Sequence, residues 1–330
     1  MRSTPHILVI NGTKVRRPVF ILGSPHSGAD VLARAVKRSA GFHLTAGRPN
    51  VLRLVYAYAR RPSIATGRGV GAARVLRDAY AESWQITPGG CRECPADCRA
   101  LAGLPPVPPG AAGRFRPDAG RPAAGRPAEE PCVEPRGVER FADATPDLLY
   151  SADVLLDAFP DAQFVQVIRD GRDVVAEMLA DDGCLGWFRP GLSNLDEVFP
   201  NPFLGVEEED ERRRWPSAAL AVKCALRWRG SVRLSARLRA QVPEDQLHTV
   251  RFEDLAAHPR RTSKAVSEYL EAPLSPGVMA GLVRSGAPAD HTDPERRVGI
   301  WRDRLTPRQI VQVERIAGNE LHRLGYRLSD

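Results

Sequence analysis

Residues 19–39, VFILGSPHSGADVLARAVKRS, constrain the fold more than any other part of the chain. Four apolar residues, Val19 to Leu22, have the unbroken hydrophobic character of a strand buried in a parallel sheet. Gly23, Ser24, Pro25, His26, Ser27 and Gly28 form a tight loop bracketed by its glycines. Beyond it Val31, Leu32, Ala35 and Val36 recur at helical spacing. A strand, a GxxxxG loop and a helix start aim backbone N–H groups and the positive end of the helix dipole at one anion. The residues thus predict a P-loop-like phosphate cradle, against the plainer alternative of a glycine-containing strand-to-helix turn.

The same loop argues against one class of ligand. A Walker A loop continues Gly-Lys-Ser/Thr, with the lysine on the outer phosphates and the hydroxyl on magnesium. Here Gly28 is followed by Ala29 and Asp30, which do neither. A magnesium-dependent ATPase or kinase is disfavoured, and the ligand is expected among nucleotides handled without a metal.

A chain of 330 residues fits one large α/β domain or two small ones. It has no apolar run of the 18 or more residues expected of a membrane-spanning helix. The start, MRSTPHILVINGTKVRRP, lacks the charged region, apolar core and cleavage site of a secretory signal, so the expected location is cytoplasmic. A net charge of +7 suits a polyanionic ligand. Yet only Lys14, Lys37, Lys223 and Lys264 among the 47 basic residues are lysines. Such an arginine excess, beside abundant Ala, Gly and Pro, follows from genomic base composition as readily as from function. No nucleic-acid partner is expected.

Further along, residues 41–45 read as a short connection or edge strand, and 50–60 as a helix with Val51, Leu54, Val55 and Tyr58 on one face. Residues 73–84 form another expected helix. Cys91, Cys94 and Cys98 then make CRECPADC, with Cys132 following 34 residues later. Between them Pro, Ala, Gly and Arg dominate, and the region at about 85–140 reads as a flexible insertion. Its four cysteines fit a structural zinc clip, two disulfides or chance; a cytoplasmic setting favours thiolate ligands over disulfides. Cys184 and Cys224 read as ordinary buried small residues.

Order returns at Phe141. The sequence to residue 182 divides into a turn, a helix entered through Thr145 and Pro146, a strand at 164–168 buried mainly on one side, and a helix from Arg172. Arg169 falls at the carboxyl end of that strand, where open α/β sheets bind ligands. Residues 183–215 read as a lid or acceptor-facing segment, and 217–241 as a long helix with a mostly solvated arginine stripe. A strand at 247–252, a helix at 260–270 and a final helix follow. The last is capped by Thr306, Pro307 and Gln309 and ended by Gly325.

Several blocks resemble one family. GSPHSGADVL is similar to the 5′-phosphosulfate loop, commonly GSPRSGTTLL, of sulfotransferases that use 3′-phosphoadenosine-5′-phosphosulfate (PAPS). FPDAQFVQVIRDGRDVV resembles that family's 3′-phosphate motif, typically FPdAkfI-hivRDpRdvv, with Arg169 on its arginine. DATP resembles its KTP segment, and RFEDLAAHP its rYEDLl-nP segment. VGIWRDRLTPRQIVQVERIAGNELHRLGY resembles its vGrWr ending, with Gly299, Trp301 and Arg302 in register. The resemblance spans roughly residues 17–327, interrupted at about 85–140 and 183–215. It implies a single bacterial-type sulfotransferase-like domain over 1–330, an α/β three-layer sandwich with a central parallel sheet. It also implies PAPS as co-substrate without magnesium, with residues Gly23 to Gly28 on its 5′ end. Arg169 would hold its 3′-phosphate, and Gly299, Trp301 and Arg302 would lie over the nucleotide.

The departures fall at functional positions. His26 stands where the family has arginine or lysine, Ala29 and Asp30 replace a threonine pair, Glu177 replaces a serine and Ala144 a lysine. An Asp30 carboxylate about 6 Å from a phosphate charge costs roughly 3 kcal/mol at an effective dielectric near 20. Turned outward, it instead complements the helix start by about 0.3–1 kcal/mol. His26 is the expected catalytic contact, as a cation on the departing phosphate. His43, Asp30 and His291 are weaker candidates for the base. The expected activity is sulfuryl transfer to a hydroxyl or amine acceptor, with a catalytically inactive binding module of the same fold as the alternative. A nucleotide kinase and a zinc-ribbon nucleic-acid binder are less favoured. Neither the acceptor nor the oligomeric state is legible.

Overall fold

Side chains of the strand that precedes the glycine loop alternate between two cores, Phe20 and Leu22 entering one and Val19 and Ile21 the other. A two-sided strand of this kind must lie between layers. In the computed structural model, which describes residues 7–61, 70–87, 90–91, 102–103, 132–133, 137–193, 195–275, 277–279, 281 and 297–329, it does. A hairpin of β1 (Val9–Ile10) and β2 (Thr13–Lys14) leads into β3 (Val19–Gly23). Then come β4 (Phe42–Thr45), a small antiparallel pair of β5 (Ile86–Thr87) and β6 (Gly90–Cys91), β7 (Arg140–Asp143), β8 (Gln163–Ile168) and β9 (Leu247–Arg251). The central sheet has the order β4-β7-β3-β8-β9 and every pairing in it is parallel.

Helices Pro49–Arg60, Val70–Ser83 and Ala152–Ala158 cover one face, and Ala29–Lys37, Phe252–Ala257 and Pro259–Leu270 the other. The result is the expected α/β three-layer sandwich. The first core is aromatic: the Phe20 ring lies 5.4 Å from Tyr80 and 5.5 Å from Phe159, and Trp84 lies 4.7 Å from Tyr80 and 5.3 Å from Phe141. A third core joins helices Gly171–Met178, Leu220–Gln241 and Pro307–Arg323. The last carries the expected capping box, with Thr306 and Gln309 each accepting the other's backbone N–H. Among the described residues no helix is long and apolar enough to cross a membrane.

Three expectations change. Residues 140–143 form a parallel strand between β3 and β4, not a turn. β8 is buried on both faces because β3 and β9 flank it and helices cover it above and below; even Gln166 is buried. Thr145 and Pro146 do not open a helix: a 3-10 turn, Leu148–Ser151, comes first. The segment expected to be a lid or acceptor-facing, 183–215, also contributes Phe188, Phe203, Leu204, Val206 and Trp215 to the third core. Of the cysteines assigned to zinc, Cys94 and Cys98 lie outside the described residues, as does the side chain of Cys91; Cys132 is buried. Most of the 85–140 insertion lies outside them too.

One buried polar group ties the sheet to the aromatic core. Asp143, at the end of β7, accepts hydrogen bonds from Thr45 Oγ1 at 2.7 Å, Tyr80 Oη at 3.2 Å and the Thr145 backbone at 2.8 Å. Burial outweighs these bonds and pushes its carboxyl up to about 6. The folded chain then holds a proton that the unfolded chain has lost above about pH 4, so stability falls as pH rises from about 4 to 6. Asp143→Asn keeps an oxygen for Tyr80 and Thr145 and removes the titration. Urea unfolding should show the variant gaining on the wild type by on the order of 1–3 kcal/mol across that window; parallel pH profiles would show that Asp143 does not titrate there.

Candidate functional site

At the carboxyl end of β3 the chain turns through Ser24, Pro25, His26 and Ser27 into helix Ala29–Lys37. Ser27 N–H donates to Ser24 O at 3.1 Å, and the turn needs left-handed backbone at His26 (φ 59°) and Gly28 (φ 90°). Both ends are close-packed, and at Gly28 the left-handed backbone also favours glycine. A Cβ on Gly23 would stand 2.2 Å from Ser27 Oγ, and one on Gly28 2.3 Å from the Phe252 ring. Gly28 supplies no side-chain cap; Val31 N–H turns back to Gly28 O at 3.1 Å, and the helix start faces a ligand without a capping side chain in the way. Ser27 Oγ is buried without a hydrogen-bond partner, a second polar group of the loop left unspent.

The loop forms one wall of a cavity of about 600 Å³. Ala46 and Gly47 after β4, Ala144 to Asp147 after β7, and Asp181, Cys184 and Trp187 complete it, with Tyr56 and Arg227. The cavity therefore sits where open α/β sheets bind ligands, outside the carboxyl ends of the strands. Arg227 is fully buried in its wall. Nη2 donates to both oxygens of Asp147 at 2.9 Å, and the guanidinium stacks 4.2 Å from Phe203, while Nε and Nη1 have no partner.

His26 is the most heavily engaged residue of the loop. Nδ1 lies 3.3 Å from Glu177 Oε2, Nε2 lies 3.0 Å from Asp181 Oδ2, and Cys184 Sγ is 3.7 Å from Nε2. Burial disfavours an imidazolium here, but the hydrogen bonds with Cys184 and Glu177 outweigh it and push the pKa up to about 10. Burial likewise opposes charge on Glu177, and the His26 hydrogen bond with the nearby Arg169 charge holds it down at about 2. The Cys184 thiol is raised, chiefly by burial.

Gly23, Ser24, Pro25, His26, Ser27 and Gly28 all line the cavity; Arg169, Gly299, Trp301 and Arg302 are not among its lining residues. Arg169 is buried behind the loop. Nη1 donates to His26 O at 2.9 Å and lies 3.1 Å from Glu177 Oε1, Nη2 donates to Arg297 O at 2.7 Å, and the guanidinium packs 4.5 Å from Phe252. Gly299 and Trp301 give their N–H groups to Asp173, at 2.8 and 3.0 Å. The guanidinium groups of Arg172 and Arg302 pack against the Trp301 ring, 4.2 and 4.5 Å from its centre. Among the base candidates, Asp30 lines the cavity, and its carboxylate pairs with Arg34 at 2.9 Å. His43 is buried away from the cavity with both ring nitrogens unbonded, its pKa lowered to about 3 by burial with Lys37 and Arg48 nearby. His291 lies outside the described residues.

The sequence reading passed over Asp147, Asp181 and the cavity role of Cys184, and set Arg227 within a solvated stripe. The loop's tolerance is directly testable. Gly28→Ala puts a Cβ both in left-handed backbone and into Phe252, and should cost at least ~1–2 kcal/mol in urea unfolding. Adding Phe252→Leu should restore the part due to the contact and leave the backbone part. An unchanged midpoint for Gly28→Ala would mean that the loop does not need this conformation.

Comparison with known proteins bears on this region. Residues 127–201 match the model of the sulfotransferase family. A comparison with curated proteins finds no match. Among solved structures, the sulfotransferase domain from the curacin biosynthetic pathway is 13% identical with a TM-score of 0.46, covering 95% of this chain and 100% of that one. Sulfotransferase STF9 from Mycobacterium avium is 15% identical with a TM-score of 0.43, covering 95% and 78%. Mouse sulfotransferase SULT7A1 complexed with PAP is 12% identical with a TM-score of 0.41, covering 98% and 91%. Likenesses of this strength fix neither site nor substrate. The family match is the firmer finding: residues 127–201, which hold Arg169, Glu177, Asp181 and Cys184, are the part of this chain similar to the sulfotransferase family.

Proposed function

We propose that this protein is a sulfotransferase that moves a sulfuryl group from PAPS to a hydroxyl or amine acceptor. The observation that carries the reading is the GxxxxG loop forming a wall of a cavity of about 600 Å³, with the His26 ring among its lining groups and held between Glu177 and Asp181. The family match over 127–201 supports it. In this reading the acceptor's oxygen or nitrogen attacks sulfur in line, the bond from sulfur to the 5′-phosphate oxygen breaks, and the electron pair stays on the phosphate. The loop N–H groups and His26 stabilise that charge, and positioning contributes the rest. The acceptor's proton passes to a carboxylate of the cavity wall, for which Asp147 is our candidate. The unspent Nη1 of Arg227 is a ready donor for an oxygen on either substrate.

One observation favours a second reading, a binding module without catalysis. The guanidinium of Arg169 already meets a carboxylate, Glu177, and two backbone oxygens. A 3′-phosphate reaching Arg169 must therefore displace Glu177 or lie beside it.

Calorimetric titration with adenosine 3′,5′-bisphosphate separates the readings. The wild type should bind in the micromolar range, and Glu177→Ser should bind about tenfold tighter or more, since a carboxylate no longer opposes the phosphate. No binding by either protein at millimolar ligand would overturn the donor assignment. Binding without transfer of labelled sulfate to any hydroxyl or amine acceptor would favour the module.

A further inference from the structure

We infer that His26, Asp181 and Cys184 form a zinc site in the cavity wall beside the glycine loop. Among the described residues they are the only group of three whose nitrogen, oxygen and sulfur donors converge, all within 4.8 Å of one another. A tetrahedral zinc ion at ordinary bond lengths sets an imidazole nitrogen about 3.3 Å from a carboxylate oxygen and about 3.6 Å from a thiolate sulfur. Here the corresponding distances from His26 Nε2 are 3.0 Å to Asp181 Oδ2 and 3.7 Å to Cys184 Sγ. Both separations from His26 Nε2 are thus within a few tenths of an ångström of those a bound ion sets, and the Asp181 and Cys184 donors lie within 4.8 Å of each other.

The groups behind the ligands are also those of a metal site. A metal-binding histidine usually gives its other ring N–H to a carboxylate, which fixes the ring and makes the ligand nitrogen more basic. His26 Nδ1 faces Glu177 Oε2 at 3.3 Å, and Glu177 Oε1 is in turn held 3.1 Å from Arg169. Asp181 is oriented in the same way: its Oδ1 accepts the backbone N–H of Gly183 at 2.8 Å and of Cys184 at 3.3 Å, leaving Oδ2 for the ion. Mixed imidazole, thiolate and carboxylate donors suit zinc and not magnesium or calcium, which prefer oxygen alone. The charge balances as well: one thiolate and one carboxylate meet a dication, and the thiol proton and the Nε2 proton leave to solvent on binding.

All three residues line the cavity, so the fourth position of the ion opens into it. Three protein ligands and an open position describe a site that takes a ligand. An ion there would offer a Lewis acid to an oxygen of a phosphate or sulfate ester held by the loop. The metal site stands on its own side chains and does not depend on PAPS being the donor; with zinc bound, His26 is a neutral ligand and the ion, not the imidazolium, supplies the positive charge beside the loop.

Cobalt(II) is the probe, used on the chelator-treated full chain with Cys91, Cys94, Cys98 and Cys132 changed to serine so that they cannot answer for it. One equivalent of cobalt should give intense visible d–d bands and a near-ultraviolet thiolate band, both displaced by zinc. Cys184→Ser should abolish the thiolate band, and Asp181→Asn should weaken cobalt binding about 100-fold. Glu177→Gln should weaken it about tenfold through His26. The Asp181 side chain is 39% exposed, so that variant should keep the wild-type circular dichroism and unfolding midpoint even if Cys184→Ser does not. Absence of a thiolate band in this background, or a band that survives Cys184→Ser, would overturn the site. So would cobalt affinity unchanged in a folded Asp181→Asn protein.

Discussion

The Glu177 carboxylate joins the two halves of the site. One oxygen faces Arg169 behind the loop and the other faces His26 within it. A buried guanidinium without a compensating anion is strongly unfavourable, and removing one partner of such a pair typically costs about 3–5 kcal/mol. Glu177 therefore sets the position of Arg169, and through the Arg169 bond to His26 O it also sets the backbone of the loop. With Asp181 on its other nitrogen, the imidazole is gripped at both ends. The left-handed conformation at His26 is held by these contacts, since histidine has only a modest intrinsic tolerance for it.

The sheet makes that arrangement rigid. β3 is the middle strand of five, and the loop leaves it where β8 runs alongside, Gly23 being paired with Val167. Phe252, the first residue after β9, fills the space under Gly28 and the face of Arg169 together. One aromatic ring thus supports both the phosphate cradle and the arginine. On the opposite face, the ring cluster around Phe20 holds β3 against β7, whose continuation supplies Ala144 to Asp147 to the cavity. Cores on both faces converge on the same strand end.

Much of this was legible where the signal was local. The strand, loop and first helix lie within some twenty residues and carry their own punctuation, as does the final helix with its Thr306–Gln309 box. β7 was not legible: RFAD is short, carries charge at both ends and has no period, and it is a strand only because β3 and β4 pair with it from either side. The hairpin of β1 and β2 turns on Asn11-Gly12, a dipeptide that signals such turns and was passed over. The His26 cluster was hidden for another reason. Asp181 and Cys184 lie 155 and 158 positions from His26, and no spacing rule connects them. A buried cysteine is usually inert, and only its neighbours reveal otherwise. Arg227 shows the same limit, because a periodic arginine reads as a solvated face until a cavity is seen beside it.

Arg169 closes its coordination on the carbonyl of Arg297, 128 positions later, and Asp173 closes on the N–H groups of Gly299 and Trp301. During synthesis, β3, its loop and β8 leave the ribosome well before those partners do. Until residues 297–301 arrive, Arg169 lacks one of its two carbonyl acceptors and Asp173 both of its backbone donors. The sheet can assemble on the emerging chain, but the backing of the loop is completed only when this late segment docks. Without residues 297–301 the sheet can still present the loop, but the loop's backing and the third core that the final helix completes are both missing.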